Sequence, residues 1–176
     1  MRNLVVAALL AATPVCASDW FRHPFGELRA YHWDWLAVCQ DEGNGLCRVV
    51  TFGEDAKRRD FPYSRLAIGR SRDHDGWSIE FTYTDMDARE IDRVTFVIDG
   101  REVRVPLANM DTTGLDTVRL GEPDVTEPLV VSMKPARFVE VRFDPNVTDP
   151  QNLIFSLRGL TAALAAVEAH ETARQN

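Results

Sequence analysis

From residue 77 to residue 84 the chain alternates without a break: Trp77, Ile79, Phe81 and Tyr83 fall on one side, and Ser78, Glu80, Thr82 and Thr84 on the other. A period of two with one apolar and one polar face predicts a strand in an antiparallel sheet that buries a single side. The period recurs at 138–143, where Val139, Val141 and Phe143 alternate with Glu140 and Arg142, and at 152–157, where Leu153, Phe155 and Leu157 form the apolar set. Residues 94–98 and 101–105 flank Asp99-Gly100, a strong two-residue hairpin signal; that turn sets Ile98 opposite Arg101, Phe96 opposite Val103 and Arg93 opposite Pro106. Residues 33–39 and 46–52 are two more apolar strands, separated by a Gly/Asn/Asp run able to reverse the chain. With Cys39 opposite Cys47, Ala37 faces Val49 and Leu36 faces Val50. Shorter strands are predicted at 66–69 and 116–120.

Two segments carry helical spacing instead. At 160–170 an alanine-rich run places Leu160, Ala163, Leu164 and Val167 on one stripe, with 171–176 predicted to fray. Near 124, Asp124 and Glu127 have capping-box spacing and Pro128 suits a first turn, which turns Leu129, Val130 and Met133 toward the core; the β-branched pair Val130-Val131 pulls toward strand. Residues 19–31 mix aromatics with charge in neither period and predict an arm laid on the core, with an exposed aromatic binding patch as the alternative. The pattern is that of a mainly β domain with a short internal helix and a C-terminal helix.

The first residues change the picture of where this domain works. Arg2 begins a short basic start, residues 4–12 are apolar, and Val15 and Ala17 are small residues suited to cleavage before Ser18. This is the pattern of a secretory signal over 1–17, too short to span a bilayer. Removing 17 of the 176 residues leaves 159, one domain's worth, and moves the formal charge from −7 to −8 because Arg2 leaves and no acid does. An acidic surface disfavours nucleic acid or an anionic membrane as a partner. Cys16 leaves with the signal, so Cys39 and Cys47 remain as a pair in an oxidising compartment, where a disulfide is expected.

Trp35-Leu36-Ala37-Val38-Cys39 with a second cysteine after a short turn, and Phe155-Ser156-Leu157-Arg158-Gly159-Leu160 running into a small-residue helix, together resemble the invasion-associated locus B family of secreted bacterial proteins. The Asp99-Gly100 hairpin and the helix-then-strand order at 129–143 fall where that family would put them. The family usually carries a second cysteine pair after the hairpin, and residues 109–115 hold no cysteine. The resemblance implies an antiparallel β-sandwich-like domain with a C-terminal helix, exported to the periplasm or beyond, with an envelope or protein partner.

Candidate chemistry is sparse. His23, His32, His74 and His170 stand at no metal-ligand spacing, no Gly-x-Ser-x-Gly or Ser-x-x-Lys occurs, and no phosphate loop is present, so no metal and no cofactor are predicted. Trp33, Trp35 and Trp77 are candidates to line a binding cleft, though their strand positions also suit a core. Arg72 and His74, in the turn Asp73-His74-Asp75, are candidate polar contacts. The basic triplet Lys57-Arg58-Arg59 is flanked by acids and reads as a solvated loop. The favoured expectation is a non-enzymatic binding domain; the alternatives are a periplasmic enzyme or enzyme inhibitor with a site assembled from residues such as Arg72, His74, Asp75 and Glu80, or a structural role in the envelope.

Overall fold

The computed structural model describes residues 20–53, 64–70, 76–84, 86–112, 114–145 and 152–175. The predicted signal at 1–17, the triplet Lys57-Arg58-Arg59 and the turn carrying Arg72, His74 and Asp75 lie outside these residues.

Antiparallel strands build two sheets. The first has the order β1 (Phe21–His23), β2 (Glu27–His32), β3 (Trp35–Cys39), β4 (Cys47–Phe52), β5 (Ser64–Arg70), β6 (Trp77–Tyr83) and β9 (Thr117–Leu120). The second runs β11 (Asn152–Ser156), β10 (Phe138–Pro145), β7 (Ile91–Ile98) and β8 (Arg101–Pro106). Residues that the alternation assigns to the apolar faces meet between them: Phe81 packs against Phe143 and edge-on against Phe155, with ring centroids 5.8 and 6.1 Å apart. Helix α2 (Leu160–Gln175) covers the inner face of β2, β3 and β4, while α1 (Pro123–Met133) packs on β6. The result is a β-sandwich-like domain whose first sheet buries one face beneath the second sheet and two helices.

Both hairpin registers follow the sequence pattern. Cys39 pairs with Cys47, Ala37 with Val49 and Leu36 with Val50, and the two cysteines form a buried disulfide. Ile98 pairs with Arg101, Phe96 with Val103 and Arg93 with Pro106. Turn chemistry and the cross-link act locally, so a register set by them is insensitive to the rest of the chain.

Four expectations are corrected. The supposed arm contains β1 and β2: Leu28, Ala30 and His32 share the inward face while Glu27, Arg29 and Tyr31 share the outward one, and an alanine and a histidine inside with a tyrosine outside hide the alternation. Trp33 belongs to the β2–β3 turn, with φ 58°, and β3 begins at Trp35. Glu127 does not close a capping box. Helix α1 starts at Pro123 after Glu122, whose side chain makes no capping bond, and the Glu127 carboxylate accepts from the Trp77 amide at 3.0 Å, tying α1 to β6. Helix α2 continues to Gln175 because the β3–β4 loop holds its last turns: the His170 ring nitrogen bonds the Gly43 carbonyl at 2.8 Å, and Arg174 donates to the carbonyls of Gly45 and Asn44.

Cys39 to Cys47 closes nine residues, so the disulfide should stabilise the fold by about 2.5 kcal/mol. Urea unfolding of the Cys39→Ala/Cys47→Ala variant is predicted to show that loss; an unchanged midpoint would mean the loop is held by its α2 contacts alone.

Candidate binding surface

The two ends of the described chain meet at one corner. Asp34, in the β2–β3 turn, accepts from the Ser156 hydroxyl at 2.6 Å and from Arg158 at 2.8 and 3.2 Å, two hydrogen bonds that a planar guanidinium can make with a carboxylate. The indole N–H of Trp35 donates to the Ser156 carbonyl at 3.0 Å, and buried Thr51 donates to the Asp34 carbonyl at 2.8 Å. Behind them Gly159, with φ 97°, sits so close to the turn that a β-carbon there would lie 2.0 Å from the His32 carbonyl oxygen. Only glycine takes this backbone angle cheaply and leaves room for that approach.

Charge in the corner follows from these contacts. The hydrogen bonds from Arg158, then Ser156, hold the Asp34 carboxyl below its usual range, and Asp34 in turn raises Arg158. Burial lowers the His32 pKa, and its Nε2 is buried without a hydrogen-bond partner.

The three candidate tryptophans do not share a cleft. Trp35 is fully enclosed, and Trp77 is buried under the Arg70 guanidinium, 4.0 Å from the ring centre. Trp33 alone is open, 72% exposed, with Arg158 stacked 4.9 Å from its ring centre. Arg72 and His74 lie outside the described residues, as does Asp75. Glu80 is committed to two ion pairs, with Arg65 at 2.6 Å and Arg119 at 3.0 Å. Among the described residues, no histidine contacts a hydroxyl or a carboxylate: His23 and His170 bond backbone groups, and His32 bonds nothing.

The exposed aromatic patch that residues 19–31 offered as an alternative lies on the outward face of the first sheet, and what the sequence pattern missed is its extension to Phe52. Tyr31 is 67% exposed, Phe52 is 52% and Phe21 is 38%, and Phe21 stacks on Tyr31 at 5.7 Å. Tyr31, Leu36 and Val50 form one cross-strand row, and Phe52 follows Val50 on the same face. Arg29, Arg48 and Arg65 lie among them; Arg29 pairs with Glu27 and Arg65 with Glu80, while Arg48 has no ion pair among the described residues. The clue was present: if the cysteines face inward, Leu36, Val50 and Phe52 face outward.

A groove of about 850 Å³ runs between the β3–β4 loop and the end of α2. Its charges are already matched, since Arg70 meets Glu171 at 3.3 Å and Glu168 at 3.6 Å while Arg174 is occupied by loop carbonyls. Close to it, the two sulfurs and a His170 nitrogen lie within 4.8 Å of one another; joined as a disulfide, those sulfurs are not thiolate ligands. Among the described residues no helix is long and apolar enough to cross a membrane.

No family model matches the chain, and no curated protein matches it in sequence. Among solved structures it is similar to invasion associated protein B from Bartonella henselae, with a TM-score of 0.60 and 13% identity over 82% of this chain and 99% of that one. At that identity the likeness is one of fold.

Two outcomes check the corner. Gly159→Ala is predicted to cost more than about 3 kcal/mol, since it adds a backbone collision to the left-handed strain, whereas Gly100→Ala, with φ 78° and open space around it, should cost about 1–2 kcal/mol. Equal losses in thermal unfolding would refute the close approach. Acid should also weaken the corner in two stages. Both folded-state pKa values are depressed, so each group contributes stability that is complete above its ordinary value and is lost as pH falls through the folded one. His32→Gln should flatten the decline that begins below pH 6.5, and Asp34→Asn the decline that begins below pH 3.8; unfolding temperatures that track the native profile in both variants would contradict the assignment.

Proposed function

We propose that this chain is a non-catalytic, exported, envelope-associated binding protein of the invasion-associated locus B type, acting through the outward face of its first sheet. Its likeness in fold to invasion associated protein B supports the kinship, as does the way the two stretches that resemble the family, at 35–39 and 155–160, come together at one corner. The disulfide fits an oxidising compartment, and the signal pattern at 1–17 supplies a route there.

The observation that carries the binding role is the exposure of Phe21, Tyr31 and Phe52 on one open sheet face with arginines between them. Phe21 stacks on Tyr31 while Phe52 stands apart from them beyond buried Val50; exposed aromatics gathered on one face mark a candidate interaction site, and tyrosine and arginine are the side chains that dominate protein interfaces. The chemistry of this face suits a protein partner with apolar and acidic groups.

The test is a Tyr31→Ser/Phe52→Ser variant, immobilised beside the native protein and exposed to envelope extract. We expect proteins retained by the native chain to be lost from the variant, with only a small fall in unfolding temperature because both side chains are more than half exposed. Identical retention by the two, or turnover of a substrate by the purified protein, would overturn the proposal.

A further inference from the structure

The second sheet ends in an edge that matches itself. Strand β8 is its outermost strand, with β7 on one side and no strand on the other among the described residues. Asp99 and Gly100 take φ 48° and 78°, a type I′ turn. Such a turn closes on Ile98 and Arg101 as a pair that exchanges both backbone hydrogen bonds, and alternation gives Val103 and Val105 the same role toward Phe96 and Val94. The N–H and C=O groups of Glu102 and Arg104 therefore point to the open edge. An edge with unpaired groups is a template for another strand. Val103 is exposed by 38% although it shares the inward face with buried Phe96.

We propose that β8 pairs with β8 of a second copy of this chain, about a two-fold axis at Val103, joining the two four-stranded sheets into one. Such an axis sets inward residues opposite inward residues, so the centre falls on 102, 103 or 104. Centring on 102 opposes two Glu102 side chains, and centring on 104 opposes two Arg104 side chains. Only the middle register sets Glu102 against Arg104 twice, with Val103 covering Val103 and four backbone hydrogen bonds formed by the free groups of 102 and 104. Within one chain Glu102 meets Arg104 at 2.9 Å and Arg142 at 3.2 Å, exposed contacts that contribute little and can be exchanged.

The same register complements charge a second time. Arg101 falls opposite Val105 of the second copy, beside a cavity of about 230 Å³ between β8 and α1 that is lined by Val103, Val105, Asp124 and Leu129. Arg101 and Asp124 are both exposed and lack ion-pair partners among the described residues. Across the axis each guanidinium is directed to the other copy's carboxylate.

Sedimentation of the purified mature protein over a wide concentration range tests this. We expect a monomer–dimer equilibrium that Glu102→Arg and Arg104→Glu each weaken at least about tenfold, by setting like charges opposite. Mixing the two variants should restore association as a heterodimer, and the double exchange E102R/R104E should restore the homodimer. Val103→Cys should give an intermolecular disulfide on oxidation, because directly opposed residues of this class lie about 4.5 Å apart at Cα. A folded monomer at every concentration, single variants that associate like the native chain, or β8 amides protected only by an added foreign peptide would each overturn self-pairing.

Discussion

A glycine with a carbonyl pressed against it joins the two halves of this molecule. Gly159 lies at the entry to α2, immediately after β11 and its short turn, and the His32 carbonyl it meets belongs to the tip of β2. Because the approach is between backbones, no side chain fits where the entry to α2 crosses the tip of β2. The Asp34–Arg158 pair and the bonds from Trp35 and Thr51 then close around it. Each of these is modest alone; the Asp34–Arg158 pair is exposed, and such pairs add little to stability. Their effect is geometric, since they convert a contact between distant segments into a single orientation.

That orientation decides which surfaces are free. With α2 laid across β2, β3 and β4 and the second sheet across the remainder, the inward face of the first sheet is used up. Among the surfaces left open are its outward face, with aromatics at β1, β2 and β4, and the edge of the second sheet at β8. The two differ in chemistry. The first carries exposed aromatics among acidic and basic side chains; the second is narrow, rich in backbone groups and charged in a self-complementary order. On the two proposals above, such a domain would meet a partner and a copy of itself at once.

Legibility in the sequence followed the range of the interactions. The disulfide hairpin and the Asp99-Gly100 hairpin were readable to the register because a cross-link and a type I′ turn act over a few residues. Strands β1 and β2 were not, since their inward positions hold Ala30 and His32 and their outward ones hold Phe21 and Tyr31, the reverse of the usual polarity. The tryptophans illustrate the same limit. Trp35 shares the inward parity of Ala37 and Cys39 and becomes core, while Trp33, two residues earlier, falls on a turn and becomes surface. The corner joins Asp34 to Ser156 and Arg158 across 122 and 124 positions, a separation at which neither residue carries any local mark of its partner.

Native-state amide hydrogen exchange tests most directly whether this corner binds the sheets and α2 into one cooperative unit. Protected amides of β3 and β4, of β10 and of the first turns of α2 are predicted to open together, with one free energy equal to that of global unfolding. If β10 and α2 instead exchanged orders of magnitude faster than β3 and β4, the second sheet would be a separately opening layer, and the corner would not be what holds the fold together.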